Sequence, residues 1–120
     1  MIAHQLLRDK GILIVSPEGR LESSDFENIA GEVDPYIREK GVLTGLMIYV
    51  ESFPGWEDFG ALISHLKFVK DHHRQIKKVA AVTDGKFVSA MPRLVDHFVG
   101  AKVRHFDYGD KGAALEWLQS

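Results

Sequence analysis

Six consecutive residues, Gly45-Leu46-Met47-Ile48-Tyr49-Val50, carry no charge and run directly into Glu51-Ser52-Phe53-Pro54-Gly55-Trp56, a polar segment broken by proline and glycine. An apolar run without polar alternation reads as a strand buried on both faces, the pattern of a parallel sheet covered by helices. Ligands of open α/β sheets sit beyond the carboxyl ends of such strands. The segment from Glu51 to Trp56 is therefore the first place to expect a site, although it holds no recognisable catalytic group.

The rest of the chain arranges itself around that strand. His4 to Arg8 and Gly11 to Ser16 are extended candidates, and Asp9-Lys10-Gly11 between them suits a tight turn, so an antiparallel hairpin opens the fold. Ile12-Leu13-Ile14-Val15 is uniformly apolar and belongs inside the sheet, whereas the mixed His4-Gln5-Leu6-Leu7-Arg8 suits an edge. Ser24 and Glu27 form a capping box, and Phe26, Ile29, Ala30, Val33 and Ile37 recur at helical spacing up to a stop at Gly41. Asp34-Pro35 predicts an irregularity in that helix, because proline removes a donor and disfavours helical geometry in the residue before it.

A second helix is expected from Trp56 to about His72, with Phe59, Ile63, Leu66 and Val69 on its apolar face. Its basic end, Lys67 to Arg74 with Lys77 and Lys78 just beyond, reads as a solvated helix terminus rather than an anion site. Val79-Ala80-Ala81-Val82 is the next buried strand, adjacent and parallel to the first, with Thr83-Asp84-Gly85 as its turn. Phe87 to Val99 is the most apolar helical stretch, interrupted at Pro92. Lys102-Val103-Arg104-His105-Phe106 alternates as a half-exposed last strand. Asp110 is placed to cap a closing helix in which Ala113, Ala114, Trp117 and Leu118 pack inward.

Composition removes several classes of function. One domain spanning 1–120 is expected, since 120 residues can bury a single core unaided. A net charge of −2 gives no attraction for phosphate backbones, so no nucleic-acid partner is expected. The absence of cysteine excludes disulfides, zinc–thiolate sites and a thiol nucleophile. The beginning Met1-Ile2-Ala3-His4-Gln5 has no basic segment leading into an apolar one, and no run approaches the roughly 18 apolar residues of a membrane span. Cytoplasmic placement is expected, with at most peripheral contact at the inner face of a membrane.

Six histidines are scattered, and His72 and His73 face different directions on a helix, so no metal or other cofactor is expected. His97 and His105 read as ordinary surface residues. Glu51 and Asp84, at the ends of adjacent strands, offer a general acid/base pair for a hydrolase or transferase. Loop and helix capping explains both carboxylates more simply, and no nucleophile elbow, phosphate loop or metalloprotease motif accompanies them. The chain therefore reads as a non-catalytic protein. Phe53, Trp56, Phe59, Phe87, Met91, Leu94 and Phe98 supply more apolar surface around one rim than a plain core explains. They are the candidate contacts for a small apolar ligand, a lipid or membrane surface, or a second copy in a homodimer, with Glu51, Ser52 and Asp84 as the polar rim. Pro92 with Gly85 and Gly100 gives that helix the joints of a mobile lid.

The order hairpin, helix, apolar strand, helix, Val79 to Asp84 strand, helix, strand and closing Ala113-Ala114-Leu115-Glu116-Trp117-Leu118 helix resembles the bacterial SpoIIAA-like family within the wider STAS fold. The resemblance implies an α/β domain with a mixed sheet, an antiparallel hairpin followed by parallel strands, and helices packed largely on one side. A similarity to CRAL-TRIO lipid-carrying domains implies an apolar ligand or membrane association. Anti-sigma-factor antagonists of this fold imply a second role, a protein–protein regulatory module switched by a phosphoserine. Ser52 falls near that position, but Phe53-Pro54-Gly55 follows it in place of the expected motif.

Overall fold

The computed structural model describes residues 2–18, 23–52, 76–85, 92 and 101–120. The expected helix from Trp56 to His72 lies outside the described residues. So does the stretch from Phe87 to Val99, except Pro92, which is helical and exposed. The described elements are β1 (Ile2–Leu7), β2 (Ile12–Pro17), α1 (Ser23–Lys40), β3 (Leu43–Tyr49), β4 (Ile76–Val82), β5 (Lys102–Phe106), a 3-10 turn (Tyr108–Asp110) and α2 (Lys111–Gln119).

The five strands form one sheet in sequence order, β1-β2-β3-β4-β5. β1 pairs antiparallel with β2, and every later pair is parallel. The hairpin turn closes on Gly11, whose amide donates to the Leu7 carbonyl at 2.8 Å. Gly11 has φ +70°, a conformation that costs a Cβ-bearing residue about 1–2 kcal/mol. The mixed β1 takes one edge, and β2, β3 and β4 lie inside, each with an apolar buried run: Ile12 to Val15, Leu46 to Ile48 and Val79 to Val82.

The central strands are buried on both faces, and the described helices take one face each. Leu13, Val15, Leu46, Ile48, Val79 and Ala81 pack in the layer that holds Ile29, Val33 and Ile37 of α1. Ile12, Ile14, Met47, Ala80 and Val82 pack in the opposite layer with Phe106 and with Ala114 and Leu118 of α2. The alternation is the ordinary two-residue period of a strand.

Four local expectations change. α1 passes through Pro35 without a break. Pro35 is exposed, and the carbonyl its missing amide would have engaged belongs to Gly31, also exposed, so water can satisfy it. Ser24 lies within the first turn of α1 and not before it. Asp110 holds the N-cap position of α2 but makes no capping hydrogen bond. Its backbone, at φ −104° and ψ 31°, has left the extended region from which a cap reaches forward, because the 3-10 turn already bends the chain there. Ala113 is exposed and Trp117 half-buried, since the stripe facing the sheet is set by Ala114 and Leu118, four residues apart.

Lys77 and Lys78 are strand residues of β4 and not the tail of a basic helix. The Lys78 ammonium donates to the carbonyls of Trp117 at 3.0 Å and Ser120 at 2.7 Å, and stands 5.3 Å from the Trp117 ring centroid. It thus adds a charged donor to the Trp117 carbonyl, which also accepts from the Ser120 amide at 3.2 Å and the Ser120 hydroxyl at 2.7 Å, and places positive charge at the negative end of the helix dipole. Replacement by a residue of similar stem, Lys78→Met, is expected to cost about 1–2 kcal/mol, at the low end for charged hydrogen bonds because the site is partly exposed. Faster amide exchange confined to α2, with a lower Tm, is the measurement that checks it.

Candidate functional site

The parallel register brings the chain after β3 and the chain after β4 to the same edge of the sheet, since Tyr49 is opposite Val82 and the Val50 amide donates to the Val82 carbonyl at 3.1 Å. β2 ends on that edge as well, because it runs parallel to β3. A cleft of about 490 Å³ opens there, and its described lining is Ser16, Pro17, Glu18, Tyr49, Val50, Glu51, Ser52 and Tyr108.

Two tyrosines shape it. Tyr49 is the last residue of β3, and Tyr108 belongs to the 3-10 turn after β5, two strands away. The turn carries Tyr108 back across the end of β4, so the rings stack with centroids 4.7 Å apart and planes 12° from parallel. Lys111, one turn beyond Tyr108, sets its ammonium 4.6 Å from the Tyr49 ring centroid, within cation–π range.

The side-chain hydrogen bond with Tyr49 raises the Tyr108 phenol above its ordinary value of 10.0; lesser contributions come from desolvation and from negative charge on Tyr49 and Glu51. A phenol held neutral in the fold stabilises it fully below the unfolded pKa, and that contribution is lost as pH rises through the folded pKa. Absorbance at 295 nm should therefore show Tyr108 ionising above pH 10, and Tyr49→Phe should move that transition back toward the ordinary value. Identical titration curves for the two proteins would remove the assigned cause.

Of the residues singled out from the sequence, Glu51 and Ser52 lie in the cleft, both exposed. Asp84 occupies the corresponding position beyond β4 and is not among the described lining residues of the cleft. Phe53, Trp56, Phe59, Phe87, Met91, Leu94 and Phe98 lie outside the described residues, as do His65, His72, His73 and His97. His105 is half-buried, not a plain surface residue. Its Nε2 is 3.1 Å from the Thr83 carbonyl, which can only accept, so Nε2 carries the proton.

Tyr49, Tyr108, Ser16 and Glu18 were not anticipated. Tyr49 is the one ring with a polar tip in the apolar run, and it stands at the strand's carboxyl end, a signal the position rule for α/β sheets could have used. Nothing local marks Tyr108, whose place depends on the order of the strands. Among the described residues no group of three His, Cys, Asp or Glu side chains is placed to hold a metal, and no helix is long and apolar enough to cross a membrane.

The SpoIIAA-like family model matches residues 12–119, from β2 to the last residue of α2. No curated protein and no solved structure matches the chain.

Proposed function

The chain belongs to the SpoIIAA-like family, and on that premise we propose that it is a non-catalytic binding module whose cleft at the carboxyl edge of the sheet receives a small ligand with an apolar body, an acyl lipid included. The observation that carries this reading is the cleft itself. Its volume of about 490 Å³ is within the roughly 300–1,000 Å³ of small-molecule sites, and it stands where α/β sheets bind their ligands. The stacked Tyr49 and Tyr108 rings give the cleft a rigid aromatic wall with two polar tips. Phe53 follows Ser52 of the cleft directly in the sequence.

Titration with a neutral apolar fluorophore, Nile red, tests the reading. Saturable one-to-one binding is expected, weakened about tenfold by Tyr108→Ala, a loss in the range of one aromatic contact. Absence of saturable binding, or full binding by the variant, would overturn it. Flotation with neutral phosphatidylcholine vesicles and concentration-dependent sizing separate the small-ligand outcome from membrane attachment and from a homodimer.

A further inference from the structure

We propose that Tyr49 and Tyr108 form an oxidative cross-linking site, at which a one-electron oxidant joins the two rings by a carbon–carbon bond between positions ortho to their hydroxyls. Nothing in this requires a ligand in the cleft. The rings stack with centroids 4.7 Å apart and planes 12° from parallel. A hydrogen bond joins the two side chains, and the hydroxyl is the only polar group each of them has, so the phenolic ends lie on the same side of the stack. The carbons beside each C–O bond are thereby brought toward the partner ring. These ortho carbons carry much of the unpaired spin of a phenoxyl radical. Face-to-face approach is also the orientation in which two of them can become tetrahedral together, so the fold supplies the alignment that coupling in solution leaves to collision.

The chain directs oxidation to this pair. It has no cysteine, so peroxide finds no thiol to oxidise. Of its three tyrosines, Tyr36 is 7% exposed, whereas Tyr49 and Tyr108 are half-buried and line the open cleft. The oxidant is of the class of a haem peroxidase charged with hydrogen peroxide. Each phenol gives it one electron and releases its hydroxyl proton to water. The two radicals then form one bond between ortho carbons, giving a pair of dienones. The ortho hydrogen on each bonded carbon leaves as a proton and an equivalent proton returns to the oxygen, which restores both phenols. The net loss is two electrons and two protons, and these reduce one hydrogen peroxide to two waters. The new bond ties the end of β3 to the turn that leads into α2, across the end of β4, and makes the stack permanent.

The test treats the dilute folded protein with a haem peroxidase and hydrogen peroxide and reads intact mass, peptide mass and near-ultraviolet-excited emission. The expected product is a monomer lighter by two hydrogen atoms, with the blue fluorescence of a biphenol and a cross-linked peptide pair holding Tyr49 and Tyr108. Tyr49→Phe and Tyr108→Phe, which keep a ring in the stack, should each abolish it. Unfolding in urea separates the rings and should slow intramolecular coupling at least about tenfold, since the alignment is lost. No two-hydrogen loss, cross-links mainly between molecules or through Tyr36, a product that survives either substitution, or an equal rate in urea would overturn the proposal.

Discussion

Leu46→Ala is expected to lower the unfolding free energy by about 2–5 kcal/mol, the range for emptying a close-packed aliphatic site. At the roughly 0.25 kcal/mol/K unfolding entropy of a domain this size, that is a fall in Tm of about 8–20 °C. Leu46 is 1% exposed in the central strand, in the layer that holds Val33 and Ile37 of α1, so little can collapse into the space it leaves. Thermal unfolding followed by far-UV circular dichroism is the measurement. A shift below about 4 °C, roughly 1 kcal/mol, would show that this layer is not packed as described.

Gly45→Ala, one residue earlier, is expected to act on the opposite layer by overfilling it. An added Cβ would meet Leu118 Cδ2 at 2.8 Å, Cβ at 3.1 Å and Cγ at 3.2 Å. Rotating the end of Leu118 relieves the first contact only, so α2 has to move off the sheet. The expected cost is about 1–3 kcal/mol, although alanine favours an ordered backbone over glycine. Leu118→Ala alone should cost about 2–5 kcal/mol through the cavity it leaves. The double variant should cost less than the sum by about 0.5–3 kcal/mol, because each change relieves the other. Strict additivity would place Gly45 away from Leu118 and refute the close approach of β3 and α2.

These neighbours also show how much of the fold was legible. The run from Gly45 to Val50 declared a strand buried on both sides, and the parallel pairing of β3 with β4 followed from two such runs separated by a long connection. The hairpin was equally readable, since Asp9-Lys10-Gly11 joins a mixed strand to an apolar one and Gly11 takes the positive φ that a turn of this kind requires. An all-apolar strand, however, does not say which residue meets which helix. That Leu46 faces α1 while Gly45 admits Leu118 of α2 depends on where the helices settle. Lys78 was misplaced for a related reason. A cation beside a basic run reads as more of the same, and only the packing of α2 across β4 hands it the carbonyls of Trp117 and Ser120.

The site divides in the same way. The residues beyond β3 could be named because the end of a parallel strand is a position defined by chain direction, and Glu51 and Ser52 stand in the cleft on that account. Tyr108 and Lys111 could not be, for they are about 60 residues from Tyr49 in the chain and become its neighbours through strand order and one short turn. By itself, then, the sequence determined the described strands, their direction and the carboxyl edge of the sheet at which the cleft opens, since hydrophobic period and turn chemistry are local properties of the chain. Which side chains share that edge was decided by the tertiary structure alone, because contacts between distant segments follow from how the layers pack and leave no local trace in the order of residues.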